Sequence, residues 1–104
     1  MNDFTADAKR FKAFCDENRL KIIQLLQNGE LCACELSQAL AMGQSTLSYH
    51  MKILCEAEIV QNRQEGKWAH YRIHPEGFTQ AIATLQSLSV SHEDEAVRQT
   101  GCAC

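Results

Sequence analysis

The sequence predicts a mainly α-helical domain with a small β-hairpin, a winged helix-turn-helix in the order α-α-α-α-β-β-α. Three observations predict it. Apolar residues recur at helical spacing through the first half of the chain, two short helical stretches flank a Gly-containing break, and two β-rich segments joined by a turn follow. In order, Phe4, Ala8, Phe11 and Phe14/Cys15 form the apolar face of a first helix ending near Asp16, which can cap the next. Leu20, Ile22, Ile23, Leu25 and Leu26 make a dense apolar second helix that stops at Asn28-Gly29, a pair suited to a left-handed helix end.

A third helix is expected to start at Cys32. Cys32-Ala33-Cys34-Glu35 has the outline of a capping box, with Cys where Ser or Thr is usual and Glu three residues later, and Leu36 and Leu40 would point inward. After the break at Ala41-Met42-Gly43-Gln44, the stretch from Ser45 to Leu54 resumes a helical pattern with Leu47, Met51 and Leu54 on one face. Ile59 to Arg63 and Trp68 to Ile73 read as strands joined by Gln64-Glu65-Gly66-Lys67, the wing, and Trp68 and Tyr71 are expected to pack it. Pro75 opens a last helix with Phe78, Ile82, Leu85 and Leu88 on one face. Residues 1–90 are thus expected to form the DNA-binding and dimerisation domain, and residues 91–104 a flexible, acidic, Cys-containing tail.

Composition narrows the function classes. No apolar run reaches the roughly 18 residues of a membrane span, and the start lacks a basic leader with an apolar stretch, so a cytoplasmic chain is expected. In that compartment six cysteines read as free thiols for metal or redox chemistry rather than as a disulfide framework. A thiol oxidoreductase is disfavoured because Cys-x-x-Cys and a βαβ pattern are both missing, so no enzyme activity and no organic cofactor are expected. The net charge of −3 hides an uneven distribution. Between Gln44 and Arg72 four basic residues (Lys52, Arg63, Lys67, Arg72) outnumber three acids, whereas the tail sets Glu93, Asp94 and Glu95 against Arg98.

Two motifs carry a family resemblance. Glu30-Leu31-Cys32-Ala33-Cys34-Glu35-Leu36 is similar to the Glu-Leu-Cys-Val-Cys-Asp-Leu box of arsenic-responsive members of the ArsR/SmtB family of metal-responsive repressors. Gln44-Ser45-Thr46-Leu47-Ser48-Tyr49-His50-Met51-Lys52-Ile53-Leu54 resembles that family's recognition helix. The resemblance runs from about Phe11 to Ile73 and implies a bacterial repressor released from DNA when As(III) or Sb(III) binds thiolates. It departs at one point: the family's third cysteine, three residues after the second, is Ser37 here.

Thiolate sulfur is a soft ligand, so Cys32 and Cys34 select As(III), Sb(III), Cd(II), Pb(II), Cu(I) or Zn(II) over magnesium or calcium, and the pair alone does not choose among them. Sulfurs two residues apart on a regular helix diverge by about 200°, so gripping one ion requires the helix start to distort. A sensor in which two thiolates join by oxidation or through a persulfide is the alternative on the same fold. The bland reading is a cap and a small packed residue. In some family members cysteines near Cys15 and Cys55 form a site across the dimer, although packing explains either equally well. Cys102 and Cys104 repeat the Cys-x-Cys spacing and could donate a third sulfur, buffer metal, or do neither. The His and acid pattern of zinc-sensing relatives is missing from the last helix.

At the start of the recognition helix Gln44, Ser45, Thr46, Ser48, Tyr49 and His50 offer hydrogen-bonding groups to base edges of double-stranded DNA. Lys52, Arg63 and Lys67 are expected on phosphates, the last two through the wing. One recognition helix buries too little surface for specific control, which predicts a homodimer on an imperfect palindrome with half-sites about 34 Å apart.

Overall fold

A computed structural model describes residues 3–92. It contains α1 (Thr5–Ala13), α2 (Glu17–Leu26), β1 (Leu31–Cys32), α3 (Ala33–Leu40), α4 (Gln44–Glu56), β2 (Val60–Glu65), β3 (Trp68–Ile73) and α5 (Pro75–Leu88). The expected order holds with one addition. Leu31 and Cys32 form a third strand, antiparallel to β3, giving the sheet order β1-β3-β2.

Local chemistry sets the boundaries. The first helix ends at Ala13, short of the expected Asp16, and the chain bends so that Asp16 is extended and caps α2, accepting from the N–H groups of Asn18 (2.9 Å) and Arg19 (3.2 Å). Gly29, at φ +126°, turns the chain from α2 into β1. The α3–α4 turn is held by Ala41 in the left-handed region, by the Met42 N–H donating to the Ser37 carbonyl (3.0 Å), and by the Ser37 hydroxyl donating to the Met42 carbonyl (2.5 Å).

The strands run two residues further towards the tip than expected on the β2 side. Glu65 pairs with Trp68, leaving Gly66-Lys67 as a two-residue turn. Gly66 has φ +63° and Lys67 does not share a positive φ, the signature of a type II′ hairpin. Trp68 is exposed rather than packed, with the Lys67 ammonium 5.8 Å from its ring centroid.

The core is where α2, α3 and α4 meet the sheet: Ile22, Leu26, Leu36, Leu47, Met51, Leu54, Ile59 and Val60 are all buried. The first and last helices pack on one another through Phe14 and Phe78, whose rings lie 5.4 Å apart, and through Thr84 Oγ1, which donates to Asp7 (2.8 Å). Ile82, Leu85 and Leu88 remain more than half exposed on α5.

Candidate thiolate site and nucleic-acid interface

Cys32 and Cys34 sit at a strand-to-helix junction. Cys32 ends β1 and is the extended cap of α3, its N–H donating to Glu35 Oε1 (2.8 Å), while Cys34 lies exposed in the first turn. This corrects the picture of two sulfurs on one regular helix. Only Cys34 has helical backbone, and Cys32 is tied to Glu35 by the capping contact. That contact, through the Cys32 N–H first and its thiol second, holds the Glu35 carboxyl below the usual carboxylate range.

The junction touches both α4 and the β2–β3 wing. Cys34 lines a cavity of 270 Å³ with Ala33, Ser37, Gln38 and Gln44, the first residue of α4. Cys32 lies opposite His70 of β3, and its neighbour Leu31 opposite Tyr71, so the residues leading into α3 are paired with a strand of the wing. Glu30, just before β1, pairs with Arg63 Nη2 (2.5 Å) and lies 3.6 Å from His70 Nδ1. The hydrogen bond from Arg63 lowers the Glu30 pKa and raises that of the guanidinium.

The other cysteines are not gathered here. Cys15 is exposed beyond the end of α1, and Cys55 is half-buried late in α4, where burial first and Glu56 second push its thiol pKa up. Cys102 and Cys104 lie outside the described residues. Among the described residues no three His, Cys, Asp or Glu side chains stand close enough to hold a metal ion. The donor set at the junction, two soft sulfurs, suits a thiophilic ion and supplies two of the three thiolates of the family pattern. The third position, Ser37, lines the same cavity as Cys34 but spends its hydroxyl on the α3–α4 turn.

On α4, Gln44, Ser45, Thr46, Ser48, Tyr49 and Lys52 are exposed. Ser45, Ser48, Tyr49 and Lys52 follow the i, i+3, i+4, i+7 rule and form one outward stripe, the face a recognition helix would lay in a major groove. Lys67 projects from the wing tip. Two expectations need correcting. His50 cannot reach a base, because it is 6% exposed with Nδ1 bonded to Arg19 Nη1 (3.1 Å). Arg63 is exposed but engaged, shared between Glu30 and Glu65, so a phosphate has to compete for it.

The buried Arg19–His50 pair was missed, yet a signal existed. Arg19, Ile22, Ile23 and Leu26 on one helix, and Leu47, His50, Met51 and Leu54 on the other, both run i, i+3, i+4, i+7, which puts one polar residue on each inward face. Two such residues on neighbouring helices have to find each other.

Comparison with known proteins agrees with this architecture. Residues 16–62 match the family model described as bacterial regulatory protein, arsR family. The arsenic resistance transcriptional regulator ArsR1 of Pseudomonas putida is 43% identical over 67 residues, 64% of this chain and 52% of that protein. The arsenical resistance operon repressor of Staphylococcus xylosus is 37% identical over 93 residues, 89% of this chain and 83% of that protein. The solution structure of the homodimeric winged helix-turn-helix DNA-binding domain of a possible ArsR-family regulator from Mycobacterium bovis superposes with a TM-score of 0.66 at 30% identity, covering 84% of this chain and 81% of that one. The match spans between 52% and 66% of the length of the first three curated relatives. With 37% identity across 83% of the Staphylococcus relative and the family pattern matched from the cap of α2 into the wing, this chain belongs to the ArsR family of bacterial regulatory proteins.

Proposed function

We propose that this chain is a homodimeric transcriptional repressor that binds a palindromic operator and lets go when As(III) or Sb(III) engages the thiolates of Cys32 and Cys34, which would derepress a metalloid-resistance operon. One observation carries the reading: the two thiols stand where α3, the start of α4 and the wing meet. Cys34 and Gln44 share a cavity, and Cys32 belongs to the strand that pairs with β3. Drawing the two sulfurs together breaks the Cys32–Glu35 cap and displaces both DNA-reading elements at once.

Most of the relatives are named as arsenical resistance regulators and one as a cadmium resistance regulator, which favours arsenic over cadmium, and antimony enters as its chemical neighbour. Gln44, Ser45, Thr46, Ser48 and Tyr49 read bases on this account, while Lys52, Lys67 and a released Arg63 hold phosphates. A third sulfur comes from Cys15, Cys55, Cys102 or Cys104, of the same chain or its partner. The dimer is supported by the homodimeric neighbour and by the exposed apolar face of Ile82, Leu85 and Leu88. No helix among the described residues is long and apolar enough to cross a membrane.

The test is fluorescence anisotropy on DNA from the chain's own upstream region, titrated with arsenite. The wild type should lose affinity by about 5–150-fold, the usual range of allosteric coupling. Cys32→Ser and Cys34→Ser should bind DNA and ignore arsenite. Release of both variants by arsenite would remove these cysteines from the sensor.

A further inference from the structure

Arg19 and His50 are the only buried polar or charged residues among those described, 7% and 6% exposed. From its position on α2, Arg19 reaches two other elements. Its Nε donates to the Ala13 carbonyl (2.9 Å) and its Nη2 to the Lys12 carbonyl (3.3 Å), both at the open end of α1, while Nη1 meets His50 Nδ1 on α4 (3.1 Å). A guanidinium only donates, so Nδ1 must be the unprotonated nitrogen and the ring proton sits on Nε2. The Asp16 carboxylate, 4.0 Å from Nδ1, balances the charge, and the Tyr49 ring stands edge-on at 5.2 Å.

We propose that Arg19 and His50 are positioning residues for operator binding: a clamp that fixes the recognition helix α4 to the end of the outer helix α1. The inference rests on the repressor reading above, and adds residues that never touch DNA. Hydrophobic contacts of Leu47, Met51 and Leu54 tolerate small rotations of α4, because they are not directional. A hydrogen bond from a planar guanidinium to one ring nitrogen does not. The outward stripe of Ser45, Ser48, Tyr49 and Lys52 is thereby held at one angle to α1. In a dimer joined through the outer helices, that angle sets how the two recognition helices meet successive major grooves.

The test separates positioning from direct contact. His50→Asn places an amide oxygen where Nδ1 stands, His50→Gln places its amide at the Nε2 position, and His50→Leu removes the acceptor. Operator affinity is measured by anisotropy from low to high salt, and arsenite uptake by thiol titration. His50→Leu and His50→Gln should bind DNA about tenfold or more weakly. His50→Asn should recover to within about threefold of wild type, and the slope of log affinity on log salt should stay unchanged in all, because no phosphate contact is lost. Arsenite uptake should not move. Equal affinity of His50→Gln and His50→Asn overturns the clamp, as does a salt slope that falls by about 1 in His50→Leu, the mark of a phosphate contact. That pair also decides the matter where His50→Leu does not fold. A wild type without affinity for its upstream DNA refutes the repressor reading instead, and the clamp is then judged by nitrogen NMR of the imidazole, where a protonated Nδ1 overturns it.

Discussion

Replacing Gly77 by Ala sets two effects of opposite sign against each other. Gly in a helix interior costs about 1 kcal/mol relative to Ala, which is the upper limit for Gly77 in the first turn of α5, so helix propensity alone predicts that Gly77→Ala strengthens the helix by at most about that much. Packing predicts the reverse. A Cβ at Gly77 would stand 1.9 Å from the carbonyl oxygen of Glu58 and 2.8 Å from its carbon, and both atoms are backbone. Glu58 cannot step aside, because it closes α4 in the left-handed region (φ 61°) while the next residue, Ile59, donates to the Leu54 carbonyl (3.0 Å). Overpacking of this kind costs typically 1–3 kcal/mol and occasionally more, and an immovable carbonyl puts it at about 3. After the propensity gain, a net loss of about 2 kcal/mol remains, which for a domain of this size lowers Tm by roughly 8–16 °C. Calorimetry at matched protein concentration measures it, since a dimer's Tm depends on concentration. A variant melting within about 2 °C of wild type, or above it, would refute the packing argument.

Ser37→Cys should bring a third thiol one helical turn from Cys34, about 5–6 Å between Cβ atoms, and raise arsenite affinity at least tenfold by calorimetric titration. It should also lose about 1 kcal/mol with the Ser37–Met42 hydrogen bond, and unchanged affinity would count against this cavity as the ion site. Lys67→Ala should reduce the salt slope of operator binding by about 1, whereas Glu30→Gln, by freeing Arg63 for a phosphate, should steepen it by about 1. Slopes unchanged in both would take the wing off the DNA. Ile82→Glu puts a carboxylate into the exposed apolar face of α5 and should weaken the dimer at least about tenfold by sedimentation, and an unaltered dimer would move the interface elsewhere.

The periodic signals of α2, α3 and α4 were legible because burial wrote them, and the cap at Asp16, the turn at Gly29 and the opening of α5 at Pro75 stand where their residue types require, whereas the apolar stripe of α5 was legible although Ile82, Leu85 and Leu88 stay exposed in the single chain. What the sequence hid was non-local. The strand β1 is two residues long, too short for any alternation, and exists only because β3 offers an edge. His50 lies in a polar run whose neighbours Ser48 and Tyr49 are exposed, so residue type pointed outward while the spacing with Leu47, Met51 and Leu54 pointed inward, and spacing won. Arg63 reads as a free wing cation until the fold brings Glu30 beside it from 33 residues away. At the thiolate junction the capping box of Cys32 and Glu35 was visible in the residue order, whereas its attachment to the wing was not.

Amide hydrogen exchange with and without arsenite tests the central claim most directly. Engagement of Cys32 and Cys34 should accelerate exchange in the first turn of α3 and at the β1–β3 pairing, leave the buried stretch of α2 protected, and do neither in Cys34→Ser. Identical protection of that turn in the loaded and empty wild type, together with equal hold on the operator, would contradict it.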